Sequence, residues 1–176
     1  MAKCVLCSNT KHALFSNNGE NKVLTIRLYK ESDAEALWDL HFYTIRNINI
    51  QDYSQDQVEA WAPERADLSV WKSVMENLSP FVAEINGEIV GYTDLQPKGL
   101  IDHFFCRHDY QGQGVGKALM THVLNIGKQR GLERFYSEVS ITARPFYEHF
   151  GFKVVKEQEI EVRGQTLRNF VMEKYT

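Results

Sequence analysis

Gln111-Gly112-Gln113-Gly114-Val115-Gly116 stands between two runs of opposite character. Before it, Leu100-Ile101-Asp102-His103-Phe104-Phe105-Cys106 reads as a strand. After it, Val115 to Ile126 carries apolar residues at helical spacing. Strand, glycine-rich turn and helix start, in that order, build a site for an anion. Glycines let backbone N–H groups approach a ligand closely, and a helix N-terminus favours negative charge. Three glycines in five residues would otherwise weaken the start of the helix. The expected cargo is therefore a phosphate-bearing cofactor.

Outward from this turn, the chain reads as mixed α/β. Residues 1 to 22 are polar and irregular and are expected to form a flexible leader, followed by one domain over residues 23 to 176. Leu24 to Tyr29 alternates as a first strand. Ser32 or Asp33 can cap a helix running to about Arg46. A short helix follows from Ser54, stopped at Ala62-Pro63, and another spans Asp67 to Asn77. Asn86-Gly87 between two apolar runs marks a two-residue hairpin. Beyond the glycine turn come a strand over Arg134 to Ser140, a short helix over Ala143 to Phe150, and two closing strands over Lys153 to Glu161 and Thr166 to Lys174.

Composition removes several classes of function. Among the 176 residues, 20 Lys and Arg face 23 Asp and Glu, a net charge of −3, which leaves no basic stripe for nucleic acid. No apolar run approaches the roughly 18 to 20 residues of a membrane span, and the N-terminus is too short in apolar residues for a secretory signal. A cytoplasmic location follows as the default. Three cysteines argue against a disulfide framework. Cys4 and Cys7 form a CxxC that no second CxxC or close His pair completes, so no metal is expected. Cys106 reads as a small core residue.

Two motifs together identify a resemblance. Gln111 to Gly116 matches the Q/R-x-x-G-x-G/A signature of the GNAT N-acetyltransferase superfamily, and about 30 residues on, Ala143-Arg144-Pro145-Phe146-Tyr147-Glu148-His149-Phe150-Gly151-Phe152 is similar to its A-x-x-FYE-x-x-GF motif. The resemblance covers about residues 24 to 174. It implies a mixed, mostly antiparallel sheet with a splayed central strand pair and helices on both faces. It also implies acetyl-CoA as co-substrate and an amine as acceptor, and it leaves room for a homodimer through the closing strands. Gln111, Gly112, Gln113, Gly114, Val115, Gly116 and Lys117 would wrap the pyrophosphate. Phe104, Phe105 and Cys106 would offer backbone groups to the pantetheine arm, like an added strand. Ser140 stands seven residues before Tyr147, where many relatives carry asparagine, and its hydroxyl can substitute for that contact.

The implied reaction is attack of a neutral amine on a thioester, which needs an outlet for the amine proton and an acid for the thiolate. Tyr147, at the family's tyrosine position, is the expected acid. For the base, strand alternation puts Asp102 on one face with Phe104 and Cys106, and His103 on the other with Phe105. Asp102, His103 and Glu138 are all candidates, as is a water relay without a dedicated base. Trp38, Phe42, Tyr43, Tyr53 and Trp61 lie where relatives build the acceptor pocket; Tyr43, Arg46 and Tyr53 are its expected wall. A non-catalytic acyl-CoA-binding or sensing module of the same fold is the rival reading. Within catalysis, a longer acyl donor would need a wide gap beside Phe104.

Overall fold

Phe81, Ala83 and Ile85 are buried on one side of their strand and Val82 on the other, so the sheet they belong to must be covered on both faces. The computed structural model describes residues 10–15, 21–65 and 67–176. Among these the chain runs β1 (Thr10–Phe15), β2 (Asn21–Leu28), α1 (Ala34–Asn47), α2 (Gln55–Trp61), α3 (Leu68–Leu78), β3 (Phe81–Ile85), β4 (Glu88–Thr93), β5 (Phe104–Cys106), α4 (Val115–Gln129), β6 (Arg134–Ser140), α5 (Arg144–His149), β7 (Lys153–Val162) and β8 (Gln165–Tyr175). Leu119, Met120 and Val123 of α4 pack with Phe81, Ala83 and Ile85 on one face. Leu37 and Leu40 of α1, with Trp71 and Met75 of α3, pack with Val82 and Tyr92 on the other. None of the described helices is long and apolar enough to cross a membrane.

Local signals in the sequence act as expected at the hairpin. Asn86 and Gly87 both adopt positive φ, 53° and 83°, which a tight turn between twisted strands requires. Ser54 and Gln57 cap α2 reciprocally. Two expectations change. Asp33 does not cap α1 through its side chain; it accepts from Lys30 N at 2.7 Å and takes a forked pair of bonds from Arg27, at 2.6 and 3.0 Å. Residues 10–15, expected inside an irregular leader, form a strand antiparallel to β2, from Thr10↔Ile26 to Phe15↔Asn21. The open edge of β2 supplies backbone partners that no local pattern announces. Cys4 and Cys7 lie outside the described residues.

The feature that positions the site is a division of the sheet. Strands β1-β2-β3-β4-β5 form one sheet and β6-β8-β7 another. They meet at one isolated parallel bridge, Leu100↔Tyr136, where Ile101 N donates to Tyr136 O at 2.9 Å and Tyr136 N to Gly99 O at 3.0 Å. Beyond it the two edges diverge, giving the splayed pair that the family resemblance implies.

The expected strand over Leu100 to Cys106 is shortened accordingly to Phe104–Cys106. Its first half is taken up by Asp94, a fully buried carboxylate whose Oδ1 accepts from Asp102 N at 3.1 Å and His103 N at 2.6 Å. Two consecutive N–H groups aimed at one oxygen are incompatible with an extended strand, so the expected alternation breaks at Asp102.

Gly99 holds the bridge together. It sits at φ 88°, and a Cβ there would lie 2.0 Å from the Arg134 carbonyl oxygen. Gly99→Ala is therefore expected to cost at least about 2 kcal/mol from left-handed strain and backbone overlap. Urea unfolding would show it, and an unchanged midpoint would refute the account.

Candidate active site

Beyond the bridge, hydrogen-bond alternation decides which backbone groups face the gap. Arg107 N bonds to Val90 O and Asp94 N to His103 O. In an antiparallel pair, residues with both groups bonded to the partner strand alternate with residues whose groups point away. Phe105 is thus engaged with Tyr92 of β4, while Phe104 and Cys106 turn their N–H and C=O groups toward β6. The same count from Tyr136 turns Glu138 and Ser140 of β6 toward β5. The edge expected from Phe104, Phe105 and Cys106 is therefore built by Phe104 and Cys106, with Phe105 excluded by its bonds to β4. The Cys106 carbonyl is held by Thr44 Oγ1 at 3.0 Å and Gln111 Nε2 at 2.8 Å.

A cavity of about 640 Å³ runs along this gap and reaches the glycine turn. Gly114 is the residue before the first turn of α4, at φ 85°, and Gly112 is also left-handed at 71°. The first N–H groups of α4 have no acceptor within the helix, so they remain available to an anion, with Lys117 on the cavity wall beside them.

The glycines do not all act by leaving space for a ligand. A Cβ at Gly112 would meet nothing, so only its φ matters. At Gly116 a Cβ would lie 3.2 Å from the Phe146 ring, so this glycine lets α4 close on α5. Gln113, expected at the pyrophosphate, does not line the cavity: its amide donates to the Asp109 carbonyl at 3.1 Å, which locks the loop instead.

The gap separates two side-chain faces. Phe104 packs on Phe146 and Tyr147, with ring centroids 5.2 and 5.9 Å apart. On this face Tyr147 is buried, and its hydroxyl lies 3.3 Å from Ser137 Oγ, whose proton goes to the Ile101 carbonyl at 2.7 Å. Burial pushes the Tyr147 phenol well above its usual value. Cys106 is half-buried, and the desolvation of its thiol pushes it up to about 12.

The opposite face carries Phe105, stacked on Tyr92, together with His41 and His103. Glu138 lies on this side, exposed, with Oε2 3.5 Å from Asn169 Nδ2. Asp102 Oδ2 lies 3.5 Å from His103 Nδ1, an ion-pair distance that depresses the Asp102 carboxyl. All four candidate catalytic residues, Tyr147, Asp102, His103 and Glu138, line the one cavity.

Other expectations resolve by packing. Tyr53 and Trp61 line the cavity, edge to face at 5.6 Å. Trp38 packs in the α1–α3 core. Tyr43 is half exposed, and Arg46 bonds the Ala62 carbonyl, so neither forms the wall expected of it. Ser140 Oγ accepts from Ala143 N at 3.1 Å and faces Asn49 Nδ2 at 3.5 Å, so its hydroxyl is committed to the turn into α5.

Several polar wall residues escaped the sequence reading, among them His41, Thr44, Asn49, Ser137, Thr142 and Asn169. Asn169 had a usable signal, a polar residue at an inward position two after Leu167. Among the described residues no group of three or more His, Cys, Asp or Glu is placed to hold a metal ion.

Comparison with known proteins agrees with this geometry. The family model described as acetyltransferase (GNAT) domain matches residues 49–174. The chain is 32% identical over 149 residues to the uncharacterized N-acetyltransferase YafP of Escherichia coli, covering 85% of this chain and 94% of that protein. It is 35% identical over 146 residues to the peptidyl-lysine N-acetyltransferase YjaB of Salmonella typhimurium, covering 81% and 92%. A GCN5-related N-acetyltransferase structure from Rhodopseudomonas palustris superposes with a TM-score of 0.82 at 25% identity, over 86% of this chain and 94% of that one.

His41 makes the site's electrostatics testable. Burial, assisted by His103 and Arg163, lowers it to about 3, and its Nδ1 lies 3.3 Å from the Tyr92 hydroxyl. An unfolded histidine titrates near ~6.5. The depressed folded value contributes stability that is complete above about pH 6.5 and is lost as pH falls toward the folded value. Between pH 7 and 5 this group should remove on the order of 2 kcal/mol. His41→Phe should flatten the fall measured by urea unfolding over that window. Parallel curves for the two proteins would refute the assignment.

Proposed function

The chain belongs to the GNAT acetyltransferase family, and on that footing we propose that it moves the acetyl group of acetyl-CoA to a primary amine by direct attack in a ternary complex. The observation that carries this reading is the gap itself. It ends at an anion-binding helix start and separates a buried phenol, Tyr147, from a carboxylate, Glu138. Bound acetyl-CoA would supply the activated acyl group. The N–H groups at the start of α4, with Lys117, would hold its pyrophosphate, and the backbone of Phe104, Cys106, Glu138 and Ser140 would hold its pantetheine arm. Phe104, closed against Phe146 and Tyr147, narrows that side and suits a short acyl group.

Glu138 is the base this geometry favours. It lies on the face away from Tyr147, so the amine can arrive opposite the leaving group. Asp102 is already paired with His103. As the nitrogen–carbon bond forms and the carbon–sulfur bond breaks, Glu138 takes the proton from nitrogen and Tyr147 gives its hydroxyl proton to sulfur. Exchange with water then returns both groups to their starting states.

A phenol raised by burial arrives protonated at neutral pH, as a donor must. A cysteine raised to about 12 carries almost no thiolate, which supports direct attack over an acetyl-cysteine intermediate.

Release of free CoA from acetyl-CoA, followed with a thiol reagent across a panel of amines, tests the reading. Tyr147→Phe should lower kcat about 10²- to 10⁴-fold while acetyl-CoA still binds. Glu138→Gln should lower kcat by a similar factor while acetyl-CoA still binds. Unchanged turnover in Tyr147→Phe would remove the phenol from the mechanism, and unchanged turnover in Glu138→Gln would remove Glu138.

A further inference from the structure

The Tyr147 ring stands among Phe104, Phe146 and Phe152, with centroids 5.9, 6.0 and 5.0 Å away. Among the described residues its hydroxyl has one side-chain hydrogen-bond partner, Ser137 Oγ at 3.3 Å. Ser137 is 3% exposed and stands on β6 directly before Glu138, so its side chain takes the opposite face of the strand. Its Oγ also lies 2.7 Å from the Ile101 carbonyl oxygen. A serine hydroxyl carries one proton and rotates to suit its partners. Ser137 thus holds a single proton between two acceptors, a carbonyl and the oxygen of the proposed acid.

The distances place that proton in the resting protein. The short contact is to Ile101, so Ser137 donates there and can accept from Tyr147. The contact to Tyr147 is long for an O–H···O bond, so the phenol proton is lightly held and can turn toward the gap. Loss of that proton inverts the balance. A phenolate here would face three aromatic rings, and Asp94 and Cys106 both disfavour negative charge on the Tyr147 oxygen. A hydrogen bond to a charged oxygen is roughly twice as strong as one to a neutral carbonyl. The Ser137 proton then gains by turning to the phenolate. Ser137 is no proton relay, because the Ile101 carbonyl behind it has no proton to give.

We infer that Ser137 is a positioning residue for acetyl transfer, its hydroxyl turning from the Ile101 carbonyl to the Tyr147 oxygen as that oxygen loses its proton. The inference rests on the acid role proposed for Tyr147. As the carbon–sulfur bond breaks, the Tyr147 O–H proton goes to sulfur and its bonding pair stays on the phenol oxygen. Ser137 donates a hydrogen bond to that oxygen and keeps its own proton. A proton from water then restores the phenol, and Ser137 turns back to Ile101.

Two measurements on the full-length protein test this. In the first, Ser137→Ala should lower kcat about tenfold, as expected for one charge-assisted hydrogen bond, with the KM for acetyl-CoA unchanged. In a Tyr147→Phe background the same substitution should cost nothing further. Equal losses in the two backgrounds would overturn the inference, because a packing defect at Ser137 would act with or without the phenol. In the second, difluorotyrosine is placed at position 147, where ring fluorines make the phenol acidic enough to titrate in the folded protein, and its fluorine resonance is followed against pH. Ser137→Ala should make this phenol hold its proton about tenfold more tightly. An unchanged titration would overturn the inference. Full turnover in Tyr147→Phe would strike the acid role and with it the part of Ser137 in catalysis, whereas an inactive Tyr147→Phe with an unchanged titration in Ser137→Ala would strike Ser137 alone.

Discussion

One buried carboxylate sets the geometry on which the site depends. Asp94 gathers the N–H groups of Asp102 and His103 onto a single oxygen and thereby stops β5 from extending toward the bridge at Leu100. Burial raises the Asp94 carboxyl, its hydrogen bonds to backbone and to Gln96 oppose that shift, and the result is a fixed kink. Without the kink, β5 and β6 could continue as a paired ladder and no gap would separate Phe104 from Glu138. The charge is expensive to bury, but the N–H groups it satisfies would themselves be costly if left unpaired in the interior.

The same division sorts the chemistry. A phenol and a thiol lie on one face, both kept protonated by burial; on the other lie a solvated carboxylate and an imidazole kept neutral. Burial thus holds the phenol, the thiol and the imidazole each in its neutral form. Tyr147 illustrates how one residue serves both packing and chemistry. Its ring is wedged among Phe104, Phe146 and Phe152, while its hydroxyl reaches the cavity wall at Ser137.

Much of this was legible in the chain because it rests on local rules. The glycine turn, the Asn86-Gly87 hairpin, the capped helix at Ser54 and the strand over Arg134 to Ser140 each follow from residues within a few positions of one another. What escaped depended on distant partners. The break at Asp102 is imposed by Asp94, eight residues away and just past the end of β4. The loss of Gln113 from the cavity is a choice among backbone carbonyls that no pattern ranks. Asn169 gained its place only when β8 aligned with β6, which brought it beside Glu138, 31 residues earlier in the chain. Strand alternation gave the right faces for Phe104 and Phe105 but could not show where regular alternation ends.

An interior strand edge is ordinarily a liability, because any passing extended chain can add itself to it. Here the edge is a wedge that narrows to a bridge at Leu100 and Tyr136, and its walls are crowded by Phe104 on one side and Phe105 on the other. A polypeptide strand projects side chains alternately toward both faces and would collide with those rings. A thin arm of amides and methylenes would not. The shape of the wedge therefore acts as a filter, keeping a reactive set of backbone groups open to a strand-like ligand while refusing the proteins that surround it.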